Sequence, residues 1–249
     1  DLFNCFCYDI FMSGHSKWHS IKHQKAASDA KKGAVFTRMA RNITMAAKQG
    51  GGDPATNFKL RLAIDQAKAA NVPKENVERA IKRGTGEGQE AQLQENFYEG
   101  YGPKGVAIII KTITDNTNRT VSDLRHALTK NGGSLAESGS VLWNFEFKGV
   151  IRIETSGNNK DEMSLYAIEV GAEDIIDEEE GLTIKTDIKN LQKTKQALES
   201  MGAKIATAGI EYIAKNKVDL DEDGKRKLEN LTDDLDNLED ISDYFTNDA

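Results

Sequence analysis

The sequence predicts an α+β protein of several domains: an N-terminal all-α helical bundle, then an α+β domain into which a ferredoxin-like (βαββαβ) domain is inserted. Three observations predict it. Apolar residues recur at helical spacing through the first 84 positions and then switch to short strand-like runs. Glycine-rich breaks at Gly50-Gly51-Gly52 and Gly84-Thr85-Gly86-Glu87-Gly88 separate the segments. Charge is also divided: Ser13 to Arg83 holds 15 Lys/Arg against 5 Asp/Glu, net +10, whereas residues 84–249 hold 18 against 33, net −15, in a chain whose overall formal charge is −7. A basic module fused to an acidic remainder attracts polyphosphate at one end and repels it at the other.

Four helices are expected in the basic module. The first, about Ser16 to Lys31, is polar nearly all round, with Trp18 and Ile21 as its large apolar residues, so core packing alone cannot hold it. The second, about Ala34 to Lys48, sets Val35, Phe36, Met39, Ile43 and Ala47 on one stripe and Arg38, Arg41 and Lys48 on the other face. Asn57 caps a third helix from Phe58 to Ala70, with Leu60, Ile64 and Ala67 inward. Pro73 opens a fourth that carries Val77, Ala80 and Ile81 inward and stops at Gly84. A flexible linker and its acidic continuation, residues 87–99, follow.

Beyond the linker, Phe97 to Tyr101 and Val106 to Thr114 read as strands. Asn116 or Thr117 then caps a helix with Val121, Leu124 and Leu128 facing the sheet, and Asn131-Gly132-Gly133 ends it. A strand at Val141 to Phe147 precedes the order strand (150–155), helix (161–170), strand (173–177), strand (182–186), helix (188–201), strand (204–214), which is the split βαβ signature. A short strand near Lys217 to Leu220, a helix with Leu228, Leu231, Leu235 and Leu238, and a strand from Ile241 to Phe245 close the chain. Residues 97–133 and 218–249 each have too few elements to cover a sheet, so they are expected to combine. The domains are therefore 12–84, 85–140 with 216–249, and 141–215. Residues 1–11 read as an extraneous N-terminal extension, because Met12-Ser13-Gly14 resembles a start.

Several function classes are excluded by what the residues lack. The longest aliphatic run, Val106 to Ile110, is far short of the ~20 residues a spanning helix needs. Cys5 and Cys7 are the only cysteines, both in the extension, so the body has no structural disulfide, which suits a reducing cytoplasm; the extension lacks the basic start and cleavage site of a secretory signal. His15, His19 and His23 recur every four residues, but the outer two stand about 12 Å apart along a helix, too far to share one ion. Asp219-x-Asp221-x-Asp223-Gly224 begins like a calcium loop but has Asn230 where a bidentate Glu is needed, and reads as a helix-start turn. The phosphate-loop lookalikes at Gly84 and Gly100 follow the wrong element or contain a proline. His126 is the one histidine outside the first helix, beside Arg125 and one turn after Ser122, where a surface role is expected. No enzyme, cofactor, metal or small-molecule substrate is expected.

Nucleic acid is the expected partner. Gly14 to Lys25 interleaves cations with Trp18, so Lys side chains can displace counterions and the indole can stack on an unpaired base; the bland alternative is that Trp18 and Ile21 pin the helix to the bundle. Gly14-His15-Ser16-Lys17-Trp18, Phe36-Thr37, Gly51-Gly52-Asp53-Pro54, Arg79-Ala80-Ile81-Lys82-Arg83-Gly84-Thr85-Gly86, Tyr98-Glu99-Gly100-Tyr101-Gly102-Pro103, Asp115-Asn116-x-Asn118-Arg119-Thr120 and Glu137-Ser138-Gly139-Ser140-Val141 together resemble the YebC/PmpR family from Met12 to the C terminus. The resemblance implies three domains, the third inserted in the second, and a cytoplasmic DNA-binding transcriptional regulatory protein. It also leaves open an RNA- or ribosome-associated translation factor, as mitochondrial and some bacterial relatives look to be. Carried over by position, the candidate contacts are Lys17, Trp18, Lys22, Lys25, Lys31, Lys32, Arg38 and Arg41, the strip Arg79, Lys82 and Arg83, and the loop Asn116, Asn118 and Arg119. A monomer touching DNA and/or RNA, and no membrane, is expected; no clear helix-turn-helix is visible, since Gly50 to Pro54 is long for that turn.

Overall fold

The computed structural model describes residues 29–86, 93–155, 159–178 and 181–249. Within them the chain is a mixed α+β structure of seven α-helices and two four-stranded sheets. Three helices come first: α1 (Asp29–Gly50), α2 (Phe58–Ala69) and α3 (Lys74–Gly84). Their apolar stripes meet in one core of Ile43, Ala47, Leu60, Ile64, Ala67, Val77 and Ala80, with Phe36 and Met39 against it. Asn57 caps α2 by accepting the Leu60 N–H at 3.0 Å, and its amide donates to the Ala46 and Gly51 carbonyls, each at 2.8 Å. One side chain thus fixes both the end of α1 and the start of α2. Gly84 ends α3 against the Thr44 carbonyl, where any Cβ would collide.

The expected boundary between a helix ending at Lys31 and another starting at Ala34 is not there. The helix runs unbroken through Gly33. A single interior glycine costs only about 1 kcal/mol, and the packing of Phe36 and Met39 on the bundle outweighs it.

The first sheet orders β3-β1-β2-β8, from β1 (Gln94–Tyr101), β2 (Ala107–Thr114), β3 (Ser134–Leu135) and β8 (Ile241–Thr246). All its pairs are antiparallel, and β2 lies between β1 and β8, from Ile108 opposite Thr246 to Thr112 opposite Ile241. Residues 217–249 therefore return to the sheet begun at Gln94. Helix α4 (Thr117–Lys130) and helix α7 (Glu222–Asp236) cover one face, with Leu124, Leu128, Leu228, Leu231 and Leu235 packed on Val106, Ile108 and Ile110. Asp221 caps α7 through the Gly224 N–H at 2.7 Å, the helix-start turn expected of that acidic loop.

The second sheet orders β5-β6-β4-β7, from β4 (Phe145–Glu154), β5 (Ala172–Glu178), β6 (Gly181–Thr186) and β7 (Lys204–Ala214), again all antiparallel. Helices α5 (Asn159–Glu169) and α6 (Leu191–Ser200) complete a βαββαβ order and bury Ala167, Leu191 and Leu198 against Ile151, Ile153, Leu182 and Ile184. The two strands expected at 141–147 and 150–155 are one. Gly149 lies mid-strand, where a Cβ would press on Leu191 and Thr186 at 3.0 Å, so it marks a close packing contact and not a turn. Leu142–Asn144 is a 3-10 turn instead of strand. Near 217–220 the expected strand is reduced to a Val218–Asp248 bridge, and β1 starts inside what composition marked as linker.

Candidate nucleic-acid interface

Among the described residues, the candidate cations divide into two sets that the sequence could not separate. Arg79, Lys82 and Arg83 lie on α3 and are exposed. The inward positions Val77 and Ala80 hold the opposite side of that helix in the bundle core. Positions 79, 82 and 83 are spaced three and four apart, so the three cations share one face near the C-terminal end of the helix. No ion-pair partner stands against them among the described residues.

Helices α2 and α3 are joined by the four residues Ala70-Asn71-Val72-Pro73. Asn71 takes the left-handed conformation, φ 58°, which Asn tolerates better than other non-glycine residues. Pro73 then fixes the entry to α3, its carbonyl accepting the Val77 N–H at 3.2 Å. This is the connection length of a helix-turn-helix pair. The tight turn that Gly50 to Pro54 could not supply occurs one helix later, and Asn-Val-Pro was the signal for it.

Arg38 and Arg41, expected among the nucleic-acid contacts, are turned toward carboxylates of the same chain. Arg38, 6% exposed, donates to the Asp236 carboxylate and to the Asp236 carbonyl, each at 3.0 Å. Arg41 pairs with Asp240, donates to the Glu239 carbonyl at 2.7 Å and lies 3.8 Å from the Glu239 carboxylate. Asn42 accepts from the Ser242 hydroxyl at 2.8 Å. The second face of α1 is thus fastened to the end of α7 and the start of β8. Carboxylates from the acidic remainder already occupy these guanidinium groups.

One loop candidate, Arg119, reaches the same point. Asn116 serves as the cap of α4, its side-chain oxygen accepting the Arg119 N–H at 3.1 Å. Arg119 reaches both oxygens of Asp240, at 3.0 and 3.1 Å, and Asp115 at 3.0 Å. Asp240, 7% exposed, also accepts from Thr114 at 3.1 Å and Thr120 at 2.8 Å. Burial pushes this carboxyl up, but the Thr120, Arg119 and Arg41 donors outweigh it and hold it below the ordinary aspartate value. Arg119 keeps an exposed side, and Asn118 is exposed.

Lys17, Trp18, Lys22 and Lys25 lie outside the described residues, as do His15, His19, His23 and the N-terminal extension. Lys31 and Lys32 fall within α1. A cleft of about 1010 Å³ opens between α1, α2 and the two sheets, lined by Phe97, Phe147 and Tyr212 together with Glu95, Asp243 and Asp248. Cations such as Lys59, Lys111 and Lys217 line the same cleft, so it has charge of both signs. Among the described residues no cluster of three metal-ligating side chains forms, and no helix is long and apolar enough to cross a membrane.

Known proteins share this arrangement. The TACO1/YebC protein N-terminal domain matches residues 16–87, and the TACO1/YebC second and third domain matches residues 93–248. A probable transcriptional regulatory protein of Dehalococcoides mccartyi is 50% identical over 236 residues, covering 95% of this chain and 94% of that one. One of Chlorobaculum tepidum is 49% identical over 237 residues, covering 95% and 94%. The crystal structure of a conserved hypothetical protein from Aquifex aeolicus superimposes with a TM-score of 0.82 at 42% identity, covering 90% of this chain and 93% of that one. With both halves of the sequence matched in order, the chain belongs to the TACO1/YebC family.

Proposed function

We propose that the chain is a non-enzymatic, cytoplasmic regulator of gene expression that binds DNA by laying the Arg79–Lys82–Arg83 face of α3 against the phosphate backbone. In this reading the basic bundle of residues 12–84 is the binding module. Residues 85–140 with 216–249 form an α+β domain, and 141–215 form a ferredoxin-like insert; together they orient the bundle. The observation that carries the reading is that α3, second in a tightly joined helix pair, holds three exposed cations on one face while Arg38 and Arg41 of α1 are paired with carboxylates of the same chain. The relatives named probable transcriptional regulatory proteins support a regulatory role. Backbone contact of this kind positions a protein on nucleic acid; discrimination between sequences needs further contacts.

Titration of the full chain against duplex DNA, structured RNA and ribosomes across a salt series tests this. The reading requires duplex binding whose logarithm falls linearly with the logarithm of salt. Tight binding to structured RNA or ribosomes with no affinity for duplex would move the chain to translation. Indifference to all three would leave a protein scaffold.

A further inference from the structure

We infer that the segment from Gly139 to Asn144 is a pedestal that presents the indole of Trp143 for stacking by an unpaired nucleobase of a single-stranded nucleic acid. The inference rests on the reading that the partner polymer is a nucleic acid, and adds a contact that the α3 strip does not provide.

Trp143 is 66% exposed and its neighbour Leu142 43%. An indole offers a large flat apolar face, and Trp143 holds that face in water on a fixed stretch of backbone. The segment that carries it is tied down on both sides. On one side Glu99, 7% exposed, accepts the N–H groups of Gly139 at 2.6 Å, Val141 at 2.7 Å and Leu142 at 2.9 Å. Gly139 takes φ 88° to make this possible. On the other side the buried Asn144 amide donates to the Asn216 carbonyl at 3.0 Å and its oxygen accepts from Asn216 at 3.0 and 2.9 Å. Val141, 1% exposed, anchors the middle in an apolar cluster with Ile109 and Phe145.

The ring's polar edge is already satisfied. Trp143 Nε1 donates to the Ser140 carbonyl at 2.9 Å, and the Tyr101 hydroxyl donates to the same oxygen at 3.3 Å. The side chain has no other hydrogen-bonding atom, so what it offers a partner is its flat π face. An ammonium stands at the backbone of the same residue: exposed Lys215 donates through Nζ to the Trp143 main-chain carbonyl at 3.2 Å. A flat face on a residue whose backbone also holds an ammonium matches a base followed by its phosphate, the pairing on which single-strand binding sites are built.

Fluorescence anisotropy of the full chain with a labelled single-stranded oligonucleotide, in RNA and in DNA form, and with the matching duplex, tests this. Trp143→Ala is expected to weaken single-strand binding about tenfold or more and to leave duplex affinity unchanged. Trp143→Phe, which keeps a stacking face, is expected to retain most of the single-strand affinity, and the RNA and DNA arms identify the sugar. In a Trp18→Phe background, indole emission comes from Trp143 alone and should be quenched saturably by the single strand. Unchanged single-strand affinity in Trp143→Ala, as a ring that serves a protein would give, overturns the inference, and so does an equal loss for single strand and duplex. A wild-type chain that binds neither form removes the nucleic-acid reading itself.

Discussion

Two groups of cations, three and four residues apart on two helices of one bundle, have opposite fates. Arg38 and Arg41 on α1 lie under the acidic end of α7 and β8, tied to Asp236, Glu239 and Asp240. Arg79, Lys82 and Arg83 on α3 are exposed. In composition they are alike, and both stand opposite an apolar stripe. What separates them is where the C-terminal strand returns, since β8 joins the sheet beside β2 and carries Asp240 to the foot of α1. Sequence charge measures what is available to a polyanion only after the carboxylates that neutralise it in cis have been subtracted.

The largest expected effect is at the junction. Asp240→Ala removes the acceptor of Arg41, Arg119, Thr114 and Thr120 together, so chemical denaturation should show a loss of about 3 kcal/mol. A loss under about 0.5 kcal/mol would mean that the junction holds nothing. Replacing Arg38 and Arg41 by Gln should cost about 1–2 kcal/mol, measured the same way, because Asp236 and Asp240 each lose a charged donor.

Acidification comes next. Glu99 is pushed up by burial but held below the ordinary value by the Gly139, Val141 and Leu142 N–H groups, and Asp240 is held down likewise. A carboxyl that binds its proton less readily folded than unfolded contributes stability that is fully present above its unfolded value. That contribution is lost as pH falls through the depressed folded one. Stability should therefore be flat in this respect above the ordinary values of 4.5 and 3.8 and decline below them. The acid limb should flatten in a Glu99→Gln, Asp240→Asn variant; an unaltered limb would remove these two groups from acid unfolding. The smallest expected effect is on α3, where Arg79→Gln, Lys82→Gln and Arg83→Gln together should move stability by less than about 0.5 kcal/mol, because these side chains are exposed and have no ion-pair partner among the described residues.

Much of the architecture is written locally. Asn57, Pro73, Asn116 and Asp221 each mark a helix start with a side chain whose geometry forces it, and Leu228, Leu231 and Leu235 give the apolar face of α7 by spacing alone. Errors fell where a residue type with a local reputation has a tertiary job. Gly33 lies between two expected helices but is carried by packing, and Gly149 lies between two expected strands but makes room for Leu191. The site was less legible for a related reason. Nothing near Arg38 or Arg41 in sequence announces Asp236 and Asp240, which lie some two hundred residues on. Trp143 was legible as a residue but not as an exposed one, since its exposure depends on Glu99 drawing in the backbone around it.

The account turns on α3 as the face open to a polyanion. Its most direct test is the salt dependence of duplex-DNA binding for the Arg79, Lys82 and Arg83 to Gln variant, set beside the Arg38 and Arg41 to Gln variant. Removing three phosphate contacts should make the log–log slope shallower by about 2.7 in the first, with the second keeping the wild-type slope despite its lower stability. A slope that softens in the α1 variant and stays unchanged in the α3 variant would contradict the account.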